Sequence, residues 1–558
     1  MNVRFLTFSL YAFITAPAAL PALAQNEVRE RFRSEVLQAV RDGSVEDLSA
    51  VLDQALTSSS YRPGALEIQA AMRAGVRGLP VPRGVAPKRE DRFGVSTRLK
   101  MIELLALAGA DVNERLAPPG TAPAYDVVDQ ADAAILEFLL DRGAKTQATD
   151  FGRRYSPVRS VLRTVLSWED PQVVSRLLPK ILKAGADVNE SLGRGRTIVH
   201  ALASEGRVDR VRWLLDQGAN MSARDPEQRT SLMMAASGGH YDVVKLLLER
   251  RAAATDRDAG GASVLHYGIR FPRIVAVLLE AGGDPNAADL VGRTVLHWAA
   301  ATWPQAPWTP ELTDENRMQI EAKARADLRA AATLLIKAGA KVDARDLNGS
   351  APLHLAATRE MVGLLLDAGA AIESRNAYGF TPLLSSTGQR SDVGIALMQR
   401  GANVKAVTAE SEAFVHLAAQ SYRGSPLLNE AISKGADVQS KDGKGRTPLH
   451  YAFMHGCRPE VVRTLLDRGA DPYVEDRGGD SPLLAWARAV EHDYKGLCLA
   501  QLIEKKVAVA RPNRNGASAI QIIKRARWVD AAITSQLGLP EQKGTPDPRA
   551  PASATIRR

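Results

Sequence analysis

Cysteine, aromatic residues and long apolar runs are all scarce in this chain. Cys457 and Cys498 are the two cysteines among 558 residues. So few thiols exclude a disulfide-built mini-scaffold and a Cys-rich zinc module. Aromatics make up 5%, so the core has to be built from Leu, Ala and Val in thin layers. No stretch beyond residue 24 is apolar enough to cross a bilayer. No run of five or more Lys/Arg occurs, and the net charge is +9 from 72 basic and 63 acidic residues. That is a mild excess over a long body, not a nucleic-acid stripe. Also absent are a nucleophile elbow, a phosphate loop, a His-Glu-x-x-His helix and a CxxC pair. The chain is therefore expected to be no enzyme and to need no cofactor or metal.

What the chain does have is one phrase, repeated. Gly445-Arg446-Thr447-Pro448-Leu449-His450 opens a unit that runs through Val461, Val462, Leu465 and Leu466 to Gly469-Ala470-Asp471. Thr447 suits a helix N-cap, and Pro448 suits the first helical position, where no backbone N–H is needed. Gly456 suits the left-handed end of that helix. Gly469 does the same for a second helix opened by Pro459. Val461, Val462, Leu465 and Leu466 share one face of the second helix. Such a unit has two apolar faces and nothing of its own to cover both. It needs a neighbour on each side.

The neighbours are present. The second-helix ending recurs at Leu104-Leu105…Gly109-Ala110, Leu139-Leu140…Gly143-Ala144, Leu214-Leu215…Gly218-Ala219 and Leu365-Leu366…Gly369-Ala370, among others. Gly109 to Gly143 is 34 residues, Gly185 to Gly218 is 33, Gly369 to Gly401 is 32 and Gly435 to Gly469 is 34. The opening phrase keeps step at Thr197…His200, Ser263…His266, Thr294…His297, Ala351…His354, Thr381…Leu384 and Thr447…His450. Two motifs in phase at a period of roughly 33 mark a repeat architecture. On these residues the chain resembles the ankyrin-repeat family from about residue 98 to about residue 538. The resemblance implies an all-α fold, an α-solenoid of about a dozen helix–turn–helix units with short hairpin loops. It also implies a non-catalytic scaffold that binds a protein through a concave groove of hairpin tips and first helices.

Residues 1–24 read as an export signal. Arg4 supplies the positive start, Phe5 to Ile14 the apolar run, and Ala22-Leu23-Ala24 the small cleavage positions. The run is too short to span a bilayer, so the chain is expected to be exported, periplasmic or secreted, with no membrane insertion after cleavage. Residues 25–97 read as N-terminal capping helices around Gly43 with a basic Pro/Gly-rich insertion over 58–97. Repeats fill 98–510, with Leu178-Pro179 read as irregular and a second insertion at 302–327. Residues 314–337 read as one long helix. Capping helices close the stack at 511–538, and a disordered tail follows at 539–558.

Six of the nine histidines (His200, His266, His297, His354, His416 and His450) share one slot of the first helix. The resemblance implies a structural imidazole there, bonded near the Thr and the loop of the adjoining repeat. His450, His455 and Cys457 form the best local metal candidate, but their spacing is loose and His450 already belongs to the repeat slot. Cys457 and Cys498 are expected as buried free thiols, with a bridge between successive second helices as the alternative. Tip positions carried over from the family are Arg194, Arg196, Arg229, Leu290, Arg293, Leu347, Asn348, Tyr378, Phe380, Lys444 and Arg446. Arginine pairs with carboxylates and stacks on rings, so the arginines suit an acidic protein partner. Gly-Arg-Thr is also a common phrase of the family, which leaves a purely structural use open.

Paired aromatics at an exposed tip cost solubility unless used, which marks Tyr378 and Phe380. Trp303 and Trp308 lie outside the repeat, between prolines. They read as a plug on the stack or as an interface hot spot. Trp298 falls at a core position. The expected partner is a protein, nucleic acid is not expected, and the chain is expected to be a monomer. Competing readings are an enzyme or metal site inside an insertion, and an effector acting on a host protein.

Overall fold

The computed structural model describes residues 31–57, 95–113, 132–146, 161–303, 309, 312–488, 496–525 and 531–539, apart from residues 33, 41, 43, 109, 193, 194, 389, 390, 422 and 423. Residues 1–24, expected as an export signal, residues 58–94 of the expected basic insertion and the expected tail from 540 onward lie outside the described residues, as do Gly43, Arg194 and Trp308. The chain divides into two compact units, Met1–Pro226 and Glu227–Arg558. Among the described residues there is no strand, only isolated bridges at hairpin bases such as Arg257 with Ser263 and Ala288 with Thr294.

In the first unit, helices run over Val45–Thr57, Val95–Leu107, Ala133–Asp141, Val161–Leu166, Pro171–Lys183, Ile198–Ser204 and Val208–Asp216. Their aliphatic stripes turn inward: Leu48, Ile102, Leu105, Leu139, Leu177 and Leu214 are fully buried. Arg98 and Asp132 are buried together as an ion pair at 2.5 Å. Leu178-Pro179, read as irregular, is instead helical within Pro171–Lys183. Asp170 starts that helix, its Oδ1 accepting from the Gln172 and Val173 N–H groups at 2.8 and 3.2 Å. Pro179 cannot donate to the carbonyl four residues back, a cost of about 3 kcal/mol. Val174, Leu177, Leu178 and Ile181 are buried around it. At roughly 1.5–3 kcal/mol per buried side chain, their packing outweighs the missing bond.

The second unit is a series of helical hairpins. Short first helices, such as Val264–Gly268, Val295–Ala301, Phe414–Gln420 and Pro448–Met454, alternate with second helices, such as Pro272–Glu280, Arg359–Asp367 and Pro459–Asp467. First helices pack on first helices, and second on second. Leu449, Val462 and Leu465 are fully buried as a result. Gly456 and Gly469 adopt the expected left-handed conformation at φ +83° and +86°. The closing pair is Ala519–Arg525 and Ala531–Gln536, with Ile523 and Ile533 fully buried. One second helix, Asp314–Lys337, runs for 24 residues against nine in Pro459–Asp467. Its first buried residue is Leu328, so the part before it stands mostly in solvent.

The imidazole slot ties one hairpin to the next. The His450 Nδ1 accepts from the Thr447 backbone N–H at 3.0 Å and sits 3.0 Å from the Thr447 hydroxyl. Its Nε2 donates to the Asp480 carbonyl of the next repeat at 3.0 Å. A carbonyl can only accept, so the ring is neutral with its proton on Nε2. The hydroxyl expected as a helix cap is therefore turned to the ring. Where the slot holds no histidine the hydroxyl does cap: Thr381 Oγ1 accepts from the Leu384 N–H at 3.3 Å. The same bridge to the next repeat recurs from His266 to Arg293, His297 to Ser350, His354 to Phe380 and His416 to Arg446.

The cysteines depart from expectation. Cys457 and Cys498 form a disulfide, with Cα atoms 6.3 Å apart. Cys457 lies just before Pro459–Asp467, and Cys498 lies in the first turn of Leu497–Glu504. These are neighbouring second helices whose packing brings the two starts within bridging distance. The loose donor group is thereby divided. Cys457 is in the bridge, and His450 is bonded to Thr447 and Asp480.

Candidate functional site

Several hairpin tips of the second unit are built on a carboxylate or amide side chain folded back under its own turn. Asp289 Oδ1 accepts from the Val291 and Arg293 N–H groups at 3.0 and 2.8 Å. Asp346 does the same for Asn348 and Ser350, Asn376 for Tyr378 and Phe380, and Asp442 for Lys444 and Arg446. Short polar side chains favour this turn because they replace a backbone acceptor two and four residues on. A glycine follows three residues after each. At Gly292, φ is +76° and a Cβ would meet the Leu347 N of the next tip at 3.0 Å. A side chain there is excluded by backbone conformation and by the neighbour alike.

Successive tips are hydrogen-bonded through their backbones. Leu290 N–H donates to the Gly260 carbonyl at 2.8 Å, Leu347 N–H to Val291 at 3.0 Å and Ala377 N–H to Asn348 at 2.9 Å. Further along, Gly443 N–H donates to Glu410 at 2.8 Å and Arg477 N–H to Lys444 at 2.9 Å. Three arginines reinforce the row from one edge. Arg345 Nη1 donates to the carbonyls of Gly349 and Arg375 at 2.7 and 2.8 Å, and Arg375 Nη1 to those of Gly379 and Val407 at 2.6 and 2.7 Å. Arg257 Nη1 makes the equivalent pair to Gly261 and Ala288.

The second carboxylate oxygen of several tips is bonded from the first helix of the same repeat. Trp298 Nε1 donates to Asp289 Oδ2 at 2.9 Å, and Tyr267 OH to Asp258 Oδ2 at 2.6 Å. Tyr451 OH lies 2.9 Å from Asp442 Oδ2 and 2.6 Å from Glu412 Oε1. Burial first, then these two carboxylates, push the Tyr451 phenol well above its usual range, so it stays protonated. Trp298, expected as plain core, thus has a polar role. It is half-buried, and its ring meets that of His266 edge-on at 5.0 Å.

The predicted binding residues fall into distinct groups. Arg196 Nε lies 3.5 Å from the buried Asp225, Arg293 Nε 3.7 Å from the buried Asp346, and Arg446 Nε 3.6 Å from Asp476. All three face the tip carboxylate of the following repeat, where a guanidinium offsets the cost of burying the charge. Arg229 pairs with Glu227 at 2.9 Å. Tyr378 and Phe380 are separated. Tyr378 is exposed at the apex with its OH 3.4 Å from Asn348 Oδ1, whereas Phe380 is half-buried below it. Lys444 is exposed at its apex, and Trp303 is half-buried after Val295–Ala301. The arginines 257, 345 and 375 were not among the predicted residues. Their signal is Arg-Asp/Asn-x-x-Gly, recurring at those three tips.

Burial lowers the imidazole pKa below its usual value in five repeats. Loss of water around His266, His297, His354, His416 and His450 outweighs the carbonyl each ring bonds.

Helical hairpins joined by short stitched tips define a helical-repeat scaffold. The chain carries ankyrin repeats. The family model for ankyrin repeats in three copies matches residues 165–259 and 415–505, and the single-repeat model matches 348–377. The chain is 44% identical over 70 residues to the ADP-ribosylation factor GTPase-activating protein AGD2 of Arabidopsis thaliana, covering 12% of this chain and 9% of that protein. It is 26% identical over 238 residues to a putative ankyrin repeat protein of Rickettsia felis, covering 40% of this chain and 60% of the relative. The chain thus spans less than two thirds of the length of these relatives. The crystal structure of the human ASB11 ankyrin repeat domain aligns with a TM-score of 0.35 at 24% identity, over 43% of this chain and 99% of that domain. Ankyrin repeats generally mediate protein–protein interaction, and the scaffold is typically non-catalytic.

Proposed function

We propose that this chain is an exported, non-catalytic scaffold that recognises a protein partner through the face carried by its hairpin tips and first helices. The observation that carries the proposal is the tip row of the second unit. Its polar atoms are bonded beneath the turns while the apices stay in solvent. A surface held rigid before binding loses little entropy on binding. The disulfide supports export, because such bridges persist in oxidising compartments. The signal-like residues 1–24 support it from the sequence.

Photo-crosslinking tests the face. A benzoylphenylalanine at Leu347 should capture a partner in the producing cell, and one at Glu460, on a second helix, should not. Equal capture from both positions, or none from Leu347, refutes the proposal. N-terminal sequencing of the fractionated protein tests export. A start near Gln25 in the extracytoplasmic fraction is expected, and an intact Met1 in the cytoplasm refutes it.

A further inference from the structure

Three consecutive tips each carry an exposed apolar residue at one of their two apex positions, Leu290 and Leu347 at the first, the latter beside Asn348, and Tyr378 at the second, beside Ala377. Leu290 is 71% exposed, Leu347 75% and Tyr378 62%, with Val291 beside Leu290. Other apices of the same row are Ala259, Ala409, Glu410, Lys444 and Arg477. The turn therefore tolerates small and charged residues equally, and the leucines and tyrosine are not needed to form it. Adjacent exposed apolar side chains on a rigid row mark a contact surface. Arg257, Arg345 and Arg375 border this stretch and are exposed. A guanidinium has five N–H donors, so Arg345 and Arg375 keep charge and further donors at the surface after bonding two carbonyls each through Nη1.

We propose that Leu290, Leu347 and Tyr378, with Arg345 and Arg375 beside them, bind an extended acidic peptide segment that carries aliphatic or aromatic side chains. The inference rests on the protein-binding reading and adds the chemistry of the partner. Helices stacked layer on layer are spaced about 8–10 Å apart, and a chain in the extended polyproline II conformation advances about 3.1 Å per residue and turns once every three residues, so every third side chain faces the same way. A segment laid along the row therefore meets a new apex every third residue. Apolar side chains at those positions cover the leucines and the tyrosine. Carboxylates between them reach the arginines, where forked pairing is favourable. Glu410, the apex side chain beyond Tyr378, repels a carboxylate and limits the acidic stretch on that side. Leucine apices offer nothing to a phosphate backbone, so the charge here favours a peptide over nucleic acid.

The test pans the immobilised full chain against a random twelve-residue peptide library on phage. Recovered peptides are then measured by fluorescence anisotropy. The comparison is a Leu290→Ser, Leu347→Ser, Tyr378→Ser variant, whose fold is checked by circular dichroism and is expected intact because all three sites are exposed. Expected is enrichment of Leu, Ile or Phe at three-residue spacing among Asp and Glu, with affinity falling at least tenfold in the variant. Enriched peptides that are basic, or that bind the variant equally well, overturn this inference and leave the scaffold reading standing. Recovery of no enriched peptide overturns this inference and also counts against the scaffold reading.

Discussion

Acid should unfold the second unit through its buried imidazoles. His266, His297, His354, His416 and His450 are each neutral, bonded on both ring nitrogens and held below the usual histidine pKa by burial. Unfolding returns them to about 6.5. The unfolded chain then binds protons that the folded chain does not, so their contribution to stability is complete well above pH 6.5. It is lost as pH falls through that value toward the lower folded values. One proton difference is worth about 1.4 kcal/mol per pH unit. Five histidines acting together therefore remove up to about 5 kcal/mol between pH 6.5 and 5.5. That is a large part of an ordinary domain stability of about 5–15 kcal/mol.

The direct assay is proton uptake on unfolding. At pH 6, urea unfolding should take up protons from these five residues, up to about four, read with a pH indicator against a urea blank. The informative comparison is a His354→Gln, His416→Gln variant. Glutamine can accept from the Ala351 or Ala413 N–H and donate to the next repeat without titrating. The variant should take up fewer protons, by up to about 1.5, and be less sensitive to acid. Equal uptake by the two proteins, or stability that is flat from pH 7 to 5.5, would refute the reasoning.

Three smaller perturbations check other parts of the structure. Gly292→Ala places a Cβ at φ +76° and 3.0 Å from the Leu347 N, and should lower unfolding stability by about 1–3 kcal/mol in urea titrations. Trp298→Phe keeps a ring against His266 but withdraws the donor to Asp289. It should cost about 1–3 kcal/mol, and an unchanged urea midpoint would deny that hydrogen bond a role. Reducing Cys457–Cys498 opens a loop of sequence separation 41 and should cost about 4 kcal/mol in the chain-entropy account. Hydrogen exchange should accelerate mainly between Pro448 and Glu504, and uniform acceleration across the second unit would contradict a local staple.

The repeat was legible because its signals are local. Thr447, Pro448, Gly456, Pro459 and Gly469 each act on backbone within a turn of themselves, and Val461, Val462 and Leu465 report a face by spacing alone. The long helix at Asp314–Lys337 was legible for the same reason. Pro179 misled because its local penalty is real but smaller than the packing around it. The disulfide was not decidable, because spacing along the chain does not give the offset between stacked helices. At the tips, Arg196, Arg293 and Arg446 each stand just before a first helix. Their use depends on a carboxylate of the next repeat, which lies far along the chain from each of them. Trp298 shares that difficulty in milder form, since its partner Asp289 lies nine residues back across a turn.

The tip therefore separates two tasks that a list of exposed polar residues runs together. Aspartate, glycine and the arginine before the helix are consumed in holding the turn and joining it to the next. The same positions recur among the hairpins of this chain because the turn geometry demands them. Apices are under no such demand, and they vary from Leu347 to Tyr378 to Lys444 within one row. Replacing Arg293 or Arg446 would disturb a carboxylate, buried at Asp346 and half-buried at Asp476, as well as any partner, so loss of binding there would be ambiguous. Replacing an apex changes the surface and little else. Specificity in such a scaffold belongs at the positions that the fold leaves unconstrained, and in the second unit those are the apices.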